Sequence, residues 1–195
     1  IYIKNILSKV YKYYMKILVV QNRMGIGDTV IFLPFIKAIS KKFNTPISLL
    51  VKDSSKADQY LHQTNYIDNI IILERNNKTN NKHDGLFGSL NLIKDIKKYK
   101  FDKIVIFNSS LRFNLIAKFS GISEVYQYPL FNKTKQHIIE TPREFIKDKF
   151  DIEVKEDPEI HIEDHLISQA IKKFQIDKNE MNILLGIGGS GPTKR

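Results

Sequence analysis

The 195-residue chain predicts a doubly wound α/β fold, a parallel sheet with helices on both faces. Three observations carry that prediction. Short continuous apolar runs, as at Ile17-Leu18-Val19-Val20, read as strands buried on both sides, the usual state of parallel strands. Segments with apolar residues three and four apart alternate with these runs along the chain. Two of the runs empty into glycine-rich turns, near 25–27 and 186–191, as a strand does before a helix that binds an oxyanion.

Residues 15–21 form the first strand, too short a run for a helix. After the turn 22–27, Asp28 is expected at the N-cap of a helix over 29–43. Val30, Phe32, Leu33, Phe35, Ile36 and Ile39 give that helix a wide apolar face, and Pro34 is expected to bend its first turns. Pro46 introduces a strand at 47–51, and 54–63 reads as a short helix. A strand at 69–73, a polar loop at 76–84 and a helix at 86–99 follow, the last with an apolar face of Leu86, Leu90, Ile93 and Ile96. Next come a strand at 103–107, a helix at 111–119 closed by Gly121 at C′, and a short strand at 124–128. Residues 129–136 read as loop, 137–150 as helix, 164–174 as helix and 182–187 as strand.

These elements predict one Rossmann-like domain over 15–175, with the acidic, proline-broken stretch 151–158 as the approach to a linker. Residues 181–195 repeat the strand-then-glycine turn and are expected to begin a second domain, so the chain is expected to be a fragment. Residues 1–14 stand apart as an N-terminal extension. Ile3, Ile6, Leu7, Val10 and Tyr14 share one helical side, as in a basic helix lying on an anionic membrane. Alternatively they precede a start at Met15, which the shortness of the stripe favours.

Composition excludes several classes. With 42% hydrophobic and 27% charged residues the chain is an ordinary globular one. No apolar run approaches the ~20 residues that cross a bilayer, and no secretory signal is evident. The absence of cysteine excludes disulfides and thiolate metal sites. The formal charge of +10 invites a nucleic-acid reading. Against it, only Arg23, Arg75, Arg112, Arg143 and Arg195 are arginines, and the lysines are dispersed rather than clustered. Abundant Lys, Ile, Asn, Phe and Tyr reflect A/T-rich codons, so no nucleic-acid partner is expected.

In a doubly wound sheet the ligand crevice lies outside the carboxyl ends of the strands, where both glycine turns fall. Gly25-Ile26-Gly27-Asp28-Thr29-Val30 starts like a dinucleotide fingerprint, but Val30 holds the third glycine position and Asp53 is loosely placed for a ribose. Residues 186–193 are no Walker A loop either, because Pro192 follows Gly191. Asp28 has two readings, an N-cap carboxylate or a general base at the crevice. They compete, since a helix N-terminus stabilises the charged carboxylate and weakens it as a base. Gly189, Ser190 and Gly191 can hold phosphate oxygens on their amides while Lys194 neutralises a diphosphate leaving group; a plain surface lysine is the alternative. Ser109, Ser110, Arg112 and Asn114 follow the fourth strand on the same edge, as acceptor contacts or a capping serine. His161 and His165, at helical spacing without a third ligand, read as surface residues.

The opening Met15-Lys-Ile-Leu-Val-Val with Gly25-Ile-Gly-Asp28-Thr-Val-Ile-Phe-Leu-Pro34 resembles that of the lipopolysaccharide heptosyltransferases, the glycosyltransferases of family 9 that use ADP-heptose. Phe101-Asp-Lys-Ile-Val-Ile-Phe-Asn-Ser-Ser-Leu-Arg112 is similar to the family's Tyr-Asp strand and the Ser-Leu-Arg turn that follows it. Gly189-Ser-Gly-Pro-Thr-Lys-Arg195 is similar to the start of its second domain. The resemblance implies the N-terminal half of a GT-B enzyme, two Rossmann-like domains facing across a cleft, the first holding the acceptor. It implies Asp28 as the catalytic base, Gly25 and Gly27 beside it on the acceptor side, and Thr193 and Lys194 at the donor phosphates. It also implies a cytoplasmic enzyme at the inner face of the inner membrane, without a metal or other cofactor. Its donor would be a nucleotide sugar and its acceptor a lipid-linked Kdo–lipid A. The turn Asn22-Arg23-Met24 departs from the family's small residues, which bears on acceptor preference. A family 9-like enzyme of another surface polysaccharide, or a non-catalytic nucleotide-sugar-binding domain, are the competing functions. The 195 residues alone are expected to transfer no sugar.

Overall fold

The computed structural model describes residues 15–23, 25–75, 81–130, 137–177 and 179–185. The chain divides into two compact units after His161. The first contains β1 (Ile17–Val20), α1 (Ile26–Phe43), β2 (Ile47–Lys52), a 3-10 turn (Asp53–Ser55), α2 (Ala57–Tyr60), β3 (Ile67–Leu73), α3 (Gly85–Lys97), β4 (Lys103–Ile106), α4 (Leu111–Phe119), β5 (Glu124–Gln127) and α5 (Glu140–Phe150). The sheet order is β3-β2-β1-β4-β5, and every pair is parallel. This is the Rossmann-like α/β fold that the alternation of runs and periodic segments predicts.

Successive residues of a strand face opposite sides of the sheet, and β1 shows it cleanly. Ile17 and Val19 belong to the core that α1 and α5 cover, with Phe32, Ile36, Phe145 and Phe150. Leu18 and Val20 belong to the core that α3 and α4 cover, with Leu92, Ile96, Phe113 and Ile116. Both sets are shut from water, so β1 must be apolar throughout. At the carboxyl end of β4, Phe107 stands edge-on to Phe32 (5.1 Å between centroids), Tyr128 (5.9 Å) and Phe145 (5.9 Å). Such pairs each add roughly 0.5–1.5 kcal/mol beyond burial.

Several local expectations change. Helix α1 starts three residues early, with Gly25 as its N-cap at φ 145, a backbone conformation that side-chain-bearing residues rarely adopt. Asp28 is therefore the third helical residue rather than the cap, and makes no side-chain capping bond. Pro34 falls mid-helix, not in the first turns, and is buried there. The expected helix over 54–63 is broken by Lys56 in the left-handed region (φ 51) between the 3-10 turn and α2. On α3 the buried residues are Gly88, Leu92 and Ile96, whereas Leu86 and Leu90 stand in solvent. The acidic stretch 151–158 is no loose linker. Val154 is buried in the core, and Glu156 pairs with Lys37 (2.9 Å) and Lys41 (2.6 Å) of α1.

The second unit contains α6 (Asp164–Phe174), an amphipathic helix with no buried residue. Residues 181–185 carry no strand; Leu184 is 98% exposed, and no strand of this unit is described to pair with them. The N-terminal extension 1–14 and the rest of the second glycine turn lie outside the described residues.

Candidate active site

A doubly wound sheet splits its connections where the strand order reverses, here between β1 and β4. From β1 the chain turns away through α1 toward β2; from β4 it leaves on the other side through α4. The two strands end together, Val20 opposite Ile106, with the Phe107 N–H donating to Val20 O at 3.1 Å. Beyond that point their loops diverge, and a cavity of about 710 Å³ opens. It is lined by Asn22 and Arg23 after β1, Phe107, Asn108 and Ser109 after β4, and Gln127 and Tyr128 at the end of β5, with residues of α5 as the far wall.

A chain of side-chain amides fixes these loops. Asn108 Nδ2 donates to Asn22 Oδ1 (3.1 Å), and Asn108 Oδ1 accepts from the Ser110 N–H (2.9 Å). Gln127 Nε2 donates to the carbonyls of Asn108 (3.0 Å) and Ser110 (2.9 Å), and its Oε1 accepts from Asn114 Nδ2 (2.9 Å). With those amides occupied, the Ser109 hydroxyl and the Arg23 guanidinium face the cavity from the β1 and β4 loops, opposite Thr141, Glu144, Asp148 and Lys149 of α5. Arg23 also stands 6.0 Å from the Phe32 ring. Tyr128 is 8% exposed, and its hydroxyl has no partner among the described residues. Burial pushes that hydroxyl well above the ordinary tyrosine range, so it stays protonated and able to donate.

Asp28 opens from the same edge on the first turn of α1 but does not line this cavity. It is half-buried, and among the described residues its carboxylate makes no hydrogen bond or ion pair. Its main chain is held firmly, since Gln21 Nε2 donates to the Asp28 carbonyl at 3.1 Å. Neither Gly25 nor Gly27 is required to make room for it. A Cβ at position 25 would lie 3.5 Å from Asp28 Oδ2, and one at position 27 would meet nothing within 4 Å.

The acceptor-side candidates divide. Ser109 lines the cavity; Ser110 lies behind it as the N-cap of α4, bonding through its backbone. Arg112 turns away from the cavity: its Nε donates to Ser89 Oγ at 2.9 Å, and its Nη2 to the His83 carbonyl. Burial, then the nearby Arg75, lowers its pKa from the ordinary arginine value. Arg112 thus clamps α4 to the start of α3. The donor-side candidates Gly189, Ser190, Gly191, Thr193 and Lys194 lie outside the described residues. His161 and His165 are both exposed, and His165 Nδ1 meets Glu163 at 2.6 Å. Gln127, Thr141, Glu144 and Asp148 reach the cavity only because β5 and α5 bring them there, which no local motif signals.

No protein-family model matches the sequence, and no curated protein does. Solved structures do. The glycosyl transferase of family 9 from Veillonella parvula DSM 2008 superposes with a TM-score of 0.71 at 16% identity, over 93% of this chain and 56% of that one. This chain has the fold found in that enzyme. The E. coli ADP-heptose lipopolysaccharide heptosyltransferase II superposes with a TM-score of 0.56 at 14% identity, over 84% of this chain and 52% of that one. The chain spans about half the length of the structures it matches.

Proposed function

We propose that this chain is the acceptor-side half of an inverting glycosyltransferase in which Asp28 is the general base. The observation that carries the proposal is the half-buried Asp28 carboxylate, unpaired among the described residues, on the sheet edge that also carries the switch-point cavity. The likeness in fold to a family 9 glycosyltransferase and to a heptosyltransferase supports it. In the finer form of this reading, the donor is ADP-heptose and the acceptor a lipid-linked lipopolysaccharide inner core at the cytoplasmic face of the inner membrane.

In the reaction, Asp28 takes the proton of an acceptor hydroxyl as that oxygen attacks the anomeric carbon of the sugar. The new C–O bond forms opposite the bond to the diphosphate, which breaks with its electron pair leaving on ADP. Gly189, Ser190, Gly191, Thr193 and Lys194 are assigned to the departing diphosphate, where amides and an ammonium stabilise the developing charge. The Ser109 hydroxyl and the Arg23 guanidinium hold the acceptor at the cavity wall.

The test is Asp28→Asn in a polypeptide that includes the donor half, assayed with ADP-heptose and a Kdo–lipid A acceptor. Loss of a general base costs roughly 10²–10⁴ in kcat. ADP affinity is expected to stay nearly constant, because Asp28 is assigned to the acceptor side. Unchanged turnover in this variant refutes the base assignment.

A further inference from the structure

The outer sides of α3 and α4 are apolar and cationic together. Leu86, Phe87 and Leu90 of α3 and Leu111, Leu115 and Phe119 of α4 stand in solvent, with Leu86 87% and Phe87 84% exposed. Leu86, Leu90, Lys94 and Lys97 recur at spacings of three and four, so they share one side of α3. Leu111, Leu115, Lys118 and Phe119 do the same on α4. The helices cover the same sheet face and are cross-tied, Arg112 Nε to Ser89 Oγ (2.9 Å) and Ser120 Oγ to the Ile93 carbonyl (3.5 Å).

The charge on this side is of one sign. Lys94, Lys97 and Lys118 make no ion pair with any described residue. Helix α4 contains no acidic residue, and the one carboxylate within α3, Asp95, is taken by Lys82 (2.5 Å), Lys98 (2.8 Å) and His83 (3.2 Å). Six large apolar side chains and three uncompensated ammonium groups therefore share a surface that a water-facing helix layer ordinarily gives to mixed polar residues.

We propose that the outer side of α3 and α4 docks on an anionic lipid bilayer. Leu86, Phe87, Leu90, Leu111, Leu115 and Phe119 enter the boundary between headgroups and acyl chains, and the three lysines meet lipid phosphates. The kind of cation selects lipid over protein. Protein interfaces favour Arg, Tyr and Trp and are depleted of Lys, whereas Lys lays its stem along apolar surface and keeps its head at the phosphates. A second copy of the chain would set these lysines against lysines, with no carboxylate on this side to receive them. Attachment is to the surface, since no helix among the described residues is long and apolar enough to cross a membrane. Leu86 and Leu111 open their helices at the carboxyl edge of the sheet, so the bilayer would meet the chain beside the edge that carries the cavity. The inference stands apart from the sugar-transfer reading, because it draws on neither Asp28 nor the cavity.

The chain contains no tryptophan, so Phe87→Trp installs a single fluorescent reporter at a solvent-facing position. The protein is mixed with vesicles of phosphatidylglycerol and phosphatidylcholine in equal parts, or of phosphatidylcholine alone, and floated on a density gradient. Co-flotation with the anionic vesicles, a blue-shifted indole emission and release by salt are expected. Leu86→Ser with Phe119→Ser, and separately Lys94→Glu with Lys97→Glu and Lys118→Glu, should each weaken partitioning by about tenfold or more. Reversing Lys42, Lys147 and Lys155, which α1, α5 and the 151–158 stretch carry, matches the charge change and should matter much less. Circular dichroism of all variants should be unchanged, as the replaced side chains are exposed. Failure to bind anionic vesicles overturns the proposal, as does binding indifferent to the α3/α4 variants. So does a dimer, seen by sedimentation without lipid, in which the indole at 87 is already shielded.

Discussion

Asn108 Nδ2 donates a hydrogen bond to Asn22 Oδ1 at 3.1 Å, joining the loop after β4 to the loop after β1 across the point where the strand order reverses. Backbone pairing of the two strands stops just below this contact. Two neutral amides thus continue the ladder into the loops and hold open the mouth of the cavity.

Asn108→Ala removes this bond and the one that Asn108 Oδ1 accepts from the Ser110 N–H. The expected loss is about 1–3 kcal/mol of unfolding free energy, read by urea denaturation. Protection of the Ser110 amide against hydrogen exchange should fall with it. A stability unchanged within error would mean that solvent satisfies both groups equally well.

Asp28→Asn should leave the fold nearly as stable as before, within about 1 kcal/mol, because it deletes only the attraction of a first-turn carboxylate for the helix N-terminus. A larger loss in thermal unfolding would show that the carboxylate has a structural partner. Activity lost in this variant could then not be assigned to chemistry.

Gly88→Ala should destabilise, although alanine is the better helix former by up to ~1 kcal/mol. A Cβ at position 88 would stand 2.1 Å from the carbonyl carbon of His83, and that backbone is not free to yield. His83 is fixed by bonds of its Nδ1 and N–H to the main chain of Glu74 and by Nε2 to Asp95. Overpacking of this kind costs about 1–3 kcal/mol, measured by chemical denaturation.

The Asp95 carboxyl is held well below its ordinary value of 3.8, first by the Lys82 hydrogen bond, then by Lys98. A depressed folded-state value means that the unfolded chain binds the proton more readily. The stability Asp95 contributes is therefore fully present above about 3.8 and is lost as the pH falls below it. Asp95→Asn should lower the unfolding temperature at neutral pH and shrink its fall on acidification. A variant with the parent's acid profile would contradict the assignment.

Tyr128→Phe removes a buried hydroxyl that has no partner among the described residues, and keeps the ring that packs on Phe107 and Phe145. Stability should hold within ~0.5 kcal/mol or rise, since no hydrogen bond is lost and a desolvated polar group is gone. A loss greater than 1 kcal/mol in a thermal melt would reveal a bound water or another hidden partner.

The strands were legible because parallel strands are apolar along their whole length, as at 17–20 and 104–106. Topology then placed the crevice, and Asn22, Arg23 and Ser109 fall at its wall for that reason alone. Periodicity found α3 but misjudged its inner side. Leu86 and Leu90 lie on an apolar stripe as convincing as a core one, while the true contact runs through Gly88, whose lack of a side chain lets α3 approach His83. The start of α1 was misplaced because capping rules favour Asp, whereas the cap here is Gly25 at a positive φ. Gln127 and the α5 residues of the cavity were invisible for a different reason: their position depends on a strand and a helix that begin 18 and 34 residues after the end of β4.

The sheet's centre is also its oldest part. Among the described strands β1 is made first, yet one of its two partners, β4, follows 86 residues later, as Ile17 pairs with Lys103. At a ribosomal pace of roughly 5–20 residues per second, its edge waits about 4–17 s before it can be covered. Throughout that interval a wholly apolar strand offers unsatisfied amides to any neighbour. The nascent polypeptide thus carries an open apolar edge well before it has a cavity to fill.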